Sequence, residues 1–327
     1  MPMSFGQQPL IQQPGFYEET LALVISYEID YDVAQRLMPT WIGADGKRYG
    51  IRPRRVRNGK PVLSFTSARI RGVNALSWRN YNALVVNLSA EFIGEHPWIS
   101  NGEAYDGARG HFQALVLEND AWACMLGREA LGVPKLYTDI PDPWLIGGNA
   151  KLARFAVKDR TRRRFVTGKA ALATVPPRLL ALMSAGTEAP ASAAEPDGDW
   201  GVAQRFNPHL GGIIWKYFPH PNFSDADLSY AGMYYGGPTL VPGDPGTELA
   251  SFDPLMVGVG RIRLKSLLPR QFPECFQAVN KLKQLMEQHC TPFAPNAMLL
   301  RYPHYVLAGH RMDGPVMPTT AKVTMPV

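Results

Sequence analysis

Lys135 stands near the end of the segment Gly127-Arg128-Glu129-Ala130-Leu131-Gly132-Val133-Pro134-Lys135-Leu136, where the order of residues suggests chemistry. Its neighbours Val133, Pro134, Leu136 and Tyr137 make this lysine a candidate for burial. Burial disfavours the ammonium and leaves a free amine near neutral pH. A free amine attacks a carbonyl carbon and forms a Schiff base, which serves as an electron sink. The competing reading is that Lys135 lays its stem along apolar surface and keeps its head in water. Arg128 and Glu129 precede it on the same helical segment. They read either as pocket groups or as ion-pair and helix-end contacts, and the second is favoured because adjacent helical residues do not share a face.

Other chemistries find little support. The seven histidines show no pair at metal-ligand spacing with Cys or carboxylates, so no metal centre is expected. His304 and His310 read as surface or hydrogen-bonded residues. There is no phosphate-cradling glycine loop and no G-x-S-x-G elbow, and Gly258-Val259-Gly260 is too short for a dinucleotide site. No cofactor is therefore expected. Cys124, Cys275 and Cys290 are odd in number and irregularly spaced, which suits free thiols and a reducing cytoplasm.

The lysine needs elements to hold it. Asp120 can cap a helix in which Trp122, Met125 and Leu126 recur at helical spacing, while Gly132 and Pro134 end it. Strands are expected over residues 21–27, 67–73, 81–92, 112–117, 151–157, 164–172, 211–218 and 225–235, with a short helix over 30–38. Residues 48–64 read as a hairpin about Asn58-Gly59. Residues 184–199, rich in Ala, Ser, Gly, Pro and acids, read as a flexible insertion, and 1–15 as an arm. Residues 271–289 carry a helical stripe of Phe272, Cys275, Phe276, Val279, Leu282, Leu285 and Met286, expected to pack on its own sheet. A strand over 298–308 follows. Frequent glycine and proline, 30 and 29 of 327 residues, favour many short strands, hence an α+β, predominantly β fold with a curved or closed antiparallel sheet.

The Gly-Arg-Glu followed by Gly-x-Pro-Lys resembles the active-site segment of the acetoacetate decarboxylase family. The resemblance runs in order over about residues 16–270, with weaker support at Trp215-Lys216-Tyr217-Phe218-Pro219 and from Ile29-Asp30-Tyr31-Asp32 to Met38-Pro39. It implies that Lys135 forms the Schiff base and that the protein is a symmetric homo-oligomer. It also implies one domain over 16–270, with 271–327 as an added helix–strand extension packed on it. Several family features are absent. A second lysine that follows the first is replaced by Leu136. Two pocket acids fall on Thr66 and on Asn82 or Ala83, and an early arginine falls near Thr20. Thr66, Tyr81 and Asn82 are the polar groups expected to replace them around a substrate, with Arg128 and Glu129 as further candidates. The function implied is a Schiff-base-forming carbon–carbon lyase acting on a keto acid or related carbonyl compound. It would be decarboxylase-like, or aldolase- or dehydratase-like. The alternative is a non-catalytic binding or assembly protein on the same fold.

Composition sets the outer bounds. Hydrophobic residues make up 46% and charged residues 19%, as in ordinary globular chains. No apolar run is long enough to span a bilayer, so no membrane partner is expected. The net charge of +6 comes partly from Arg52, Arg54, Arg55 and Arg57 and from Arg160, Arg162, Arg163 and Arg164. Neither cluster has aromatics interleaved at useful spacing. They read as solvated arginines rather than a nucleic-acid surface.

Overall fold

The computed structural model describes residues 15–38, 40–42, 48–73, 79–93, 109–131, 133–138, 140, 168–175, 179–186, 211–219, 226–237, 255–264 and 273–311. They form a mixed, mostly antiparallel sheet of 13 strands with short helices around it. β1 (Gly15–Ile29), β4 (Val62–Val73), β5 (Arg79–Ile93) and β6 (Arg109–Glu118) lie antiparallel in that order. β10 (Gly211–Pro219) runs parallel to β6, and β11 (Ala226–Gly237) runs antiparallel to β10. β13 (Cys290–Arg311) pairs with β11 and also with β1, so these pairings return to their start. From β13 the path continues through β12 (Leu255–Leu264) and β9 (Leu179–Gly186) to β8 (Gly168–Val175). β2 (Thr40–Ile42) pairs with β3 (Arg48–Pro53), which pairs with β5. β7 (Lys135–Tyr137) runs parallel to β6. The described helices are α1 (Tyr31–Arg36), α2 (Ala121–Leu131) and α3 (Pro273–His289).

The register sorts side chains by size. Cross-strand partners share a face, and alternate residues point to opposite faces. One face carries the rows Ala22–Ala68–Ala83, Val24–Thr66–Val85–Val116 and Ser26–Ser64–Asn87. The other carries Leu23–Ser67–Leu84–Leu117, Ile25–Phe65–Val86–Leu115 and Tyr27–Leu63–Leu88–Phe112. Except for the half-buried Leu115, these residues are buried on both faces. β12 covers the bulky face so closely that a Cβ on Gly260 would collide with the Ile25 side chain. The Ile262 N–H donates to Tyr27 Oη at 3.1 Å, and burial lifts the Tyr27 hydroxyl to about pKa 12. Asn296, fully buried, donates from Nδ2 to the carbonyls of Ser26 and Gly260 and accepts from Gly260 N–H at 2.6 Å. The small-residue face is the one that Lys135 joins, beside Val116.

Several expectations change in the structure. The turn at Asn58-Gly59 forms, with both residues at positive φ and an Arg57–Lys60 bridge, but its flanking strands do not pair with each other. β3 and β4 instead lie end to end along β5, because Ser89 stitches the gap: its Oγ accepts from Val62 N–H and donates to the Arg54 carbonyl. The arginines around that turn are not simply solvated. Arg54 is buried, Arg52 pairs with Glu91 at 2.7 Å, and Arg57 stacks over Phe293 and pairs with Glu28. Their aromatic partners come from distant segments, Tyr31 for Arg55 and Phe293 for Arg57, so local spacing concealed them. β9 and β12 are strands that local pattern did not announce. On α3, Leu282, Leu285 and Met286 are only half-buried. The expected arm up to residue 14, the strand at 151–157, the second arginine cluster and residues 187–199 lie outside the described residues. No described helix is long and apolar enough to cross a membrane.

Candidate active site

β6 is an apolar strand that ends on a charge, Leu115-Val116-Leu117-Glu118. The chain then turns at once into α2. The Asp120 side chain accepts from Ala123 N–H at 2.9 Å, capping the first turn, and also meets Arg79 at 3.2 Å. Beyond α2, Val133 N–H donates to the Gly127 carbonyl and Val116 N–H to the Pro134 carbonyl. These bonds fold the chain back so that β7 begins at Lys135, beside Val116 of β6. Two residues further along β6, on the same face, sits Glu118.

The geometry around the amine is tight. Lys135 Nζ lies 2.8 Å from Glu118 Oε1 and donates to the Ala123 carbonyl at 3.1 Å. The side chains of Lys135 and Glu118 are only 12% and 4% exposed. Gly127 makes this possible, since a Cβ there would fall on Cδ, Cε and Nζ of Lys135. Burial raises the Glu118 carboxyl above the ordinary range, the charge and hydrogen bond of Lys135 oppose that shift, and Asp120 adds to it. Glu118 Oε2 is buried without a hydrogen-bond partner among the described residues. Burial first, and then the charge of Glu118, push the Cys124 thiol up to about 12, so this cysteine is inert packing rather than a nucleophile. The apolar surroundings expected for Lys135 are thus replaced on one side by a carboxylate. The amine and carboxyl can pass one proton between them in a nearly dry place.

The other candidates separate by face. Thr66 shares a row with Val85 and Val116, so it lies on the face of Lys135 and Glu118. Its buried Oγ1 has no hydrogen-bond partner among the described residues. Tyr81 is buried on the same face, beside Ile70 and Thr20. Asn82 is on the opposite face, where its Nδ2 donates to the Ile140 carbonyl at 3.2 Å and helps anchor the chain leaving β7. Asn119 Nδ2 donates to the same carbonyl at 3.0 Å. Arg128 is exposed on α2, and the side chain of Glu129 lies outside the described set. Leu136 alternates away from Lys135 and pairs with Leu117 on the bulky face. Sequence reasoning missed Glu118 by ending the strand one residue early. A carboxylate closing an apolar strand, just before a helix cap, was the available signal.

No family model matches the chain, and no curated protein matches it. Solved structures do. An acetoacetate decarboxylase from Legionella pneumophila subsp. pneumophila str. Philadelphia 1 aligns at TM-score 0.51 and 13% identity, over 98% of this chain and 93% of its own. An acetoacetate decarboxylase-like enzyme from Sphingomonas wittichii RW1 aligns at 0.49 and 14% identity, over 91% of each chain. The enduracididine biosynthesis enzyme MppR, complexed with the condensation product of pyruvate and imidazole 4-carboxaldehyde, aligns at 0.48 and 13% identity, over 94% of this chain and 92% of its own. The chain has an acetoacetate decarboxylase-like fold.

Proposed function

We propose that the protein is a Schiff-base-forming lyase acting on a keto acid or related carbonyl compound, with Lys135 as the nucleophile. The observation that carries this reading is the enclosure of one amine, 12% exposed, in a space that Gly127 keeps clear. A lysine used only for solubility has no need of such a space. Once the amine condenses with a ketone, the iminium draws electrons from the adjacent carbon–carbon bond. Decarboxylation, aldol cleavage and dehydration all begin from that intermediate. Thr66 and Tyr81, buried on the same face, are the groups suited to orient the rest of the substrate.

Borohydride reduction in the presence of acetoacetate, pyruvate and simple ketones tests the assignment. The expected result is a stable mass increase localised to Lys135, absent in Lys135→Arg. No adduct with any compound would favour the alternative, a binding or assembly protein in which the Lys135–Glu118 pair is structural.

A further inference from the structure

Glu118 is not among the residues that the resemblance assigns to the chemistry, yet it is the side chain in direct contact with the reacting nitrogen. We propose that Glu118 is a catalytic residue, which takes the proton that Lys135 must lose before attack and returns it to the oxygen that departs as water. The proposal rests on the Schiff-base reading of Lys135. Its support is geometric. Oε1 is 2.8 Å from Nζ, a distance for direct proton transfer. The carboxyl is 4% exposed, so bulk water does not compete for the transfer. Oε2 is a buried oxygen with no hydrogen-bond partner among the described residues, and such an atom is costly unless a proton or a ligand group meets it. A substrate hydroxyl formed at the attacked carbon would supply that group. The burial that raises the proton affinity of Glu118 favours the same transfer.

Among the described residues, the charged and titratable groups around the pair come from α2, its cap and β5. Asp120, Cys124 and Arg128 act from α2 and its cap, and Arg79 reaches in from β5 to pair with Asp120. Asp120 favours a proton on Glu118, and the Cys124 thiol, pushed up to about 12, stays neutral in the working range and adds no charge.

The proton balance closes without an outside reagent. The pair begins as ammonium and carboxylate, and the proton moves from Nζ to Oε1. The nitrogen lone pair forms the C–N bond, and the carbonyl π pair moves to oxygen. That oxygen takes the proton from Glu118, whose carboxylate then removes a second proton from the nitrogen. Glu118 returns this proton to the hydroxyl as the C–O bond breaks. Water leaves, and the nitrogen lone pair forms the C=N bond. The ammonium and ketone have become an iminium and water, and Glu118 is again a carboxylate beside a cation.

The test is the rate of imine formation, followed by timed borohydride trapping across pH in wild type, Glu118→Gln and Glu118→Asp. Wild type should fall off on both sides of a range in which the pair holds a single proton. Glu118→Gln should be slower by about 10²–10⁴-fold, the usual worth of a positioned acid–base group. Its profile should collapse to one ionisation, climbing with pH. Glu118→Asp, which keeps the carboxyl, should retain the two-sided profile, and it serves as the reporter if the Gln variant does not fold. Wild-type rates and profile in Glu118→Gln, or loss of the two-sided shape in a folded Glu118→Asp, would overturn the role of Glu118 while leaving the Schiff base intact. No adduct on the wild type would instead remove the Schiff-base reading and this role together.

Discussion

Gly127 is a residue whose value lies in an absent atom. A glycine inside a helix costs about 1 kcal/mol relative to alanine. Here the missing Cβ is the room that the Lys135 tail occupies. Gly127→Ala should therefore separate stability from activity. The tail of a lysine is flexible enough to move aside, so the melting temperature should hold or rise. Displaced from Glu118, the amine should lose at least about ten-fold in trapping rate, equivalent to about 1.4 kcal/mol of barrier. Intact-mass trapping beside a thermal melt checks both halves. At this scale the sequence was informative about Lys135 but not about its partner. Lysine followed α2's stop signals, Gly132 and Pro134, which are local and readable. That Glu118 meets its amine depends on β7 lying beside β6, and no pattern within either segment states that. The same dependence put Asn82 on the opposite face and left Tyr81 and Thr66 on the face of Lys135.

Elements are joined here by a few buried polar side chains. Asn296 ties β13 to β1 and β12 through three hydrogen bonds. Replacing it by leucine leaves the carbonyls of Ser26 and Gly260 without this donor, and Gly260 N–H without this acceptor. At about 1–3 kcal/mol for each buried group left unmet, Asn296→Leu should cost at least about 3 kcal/mol, read from the denaturant midpoint. Trapping by the folded fraction should be unchanged, because Asn296 lies away from the Lys135 face. The element-level reading of sequence succeeded where periodicity was strong, as in β1, β5, β6, α2 and α3. It assigned no element to β12, whose Leu-Met-Val-Gly-Val-Gly start interrupts a strand pattern with glycines. Gly260 is needed there because Ile25 stands in the way of any Cβ, which is a tertiary reason. The hairpin at Asn58-Gly59 was read as joining its own flanks, whereas Ser89 from β5 takes up both ends.

Across the whole molecule, the first and last described strands lie side by side, from Gly15 opposite Leu307 to Ile29 opposite Cys290. The C-terminal strand therefore belongs to the middle of the sheet. A chain ending at residue 289 should fail to give a cooperative melt or any adduct on Lys135, measured by calorimetry and trapping. Pairing over such separations, with Ser26 and Asn296 270 positions apart, also makes assembly slow relative to helical proteins of local contacts. There is a consequence for a polypeptide still being made. Lys135 leaves the ribosome long before the strand that joins β1 to β11 and β12. Until that strand arrives, β1 lacks the neighbour it holds from Gly15 to Ile29, and the sheet that carries Lys135 and Glu118 is incomplete. On the Schiff-base reading of Lys135, synthesis order would therefore delay the chemistry until β13 has joined β1.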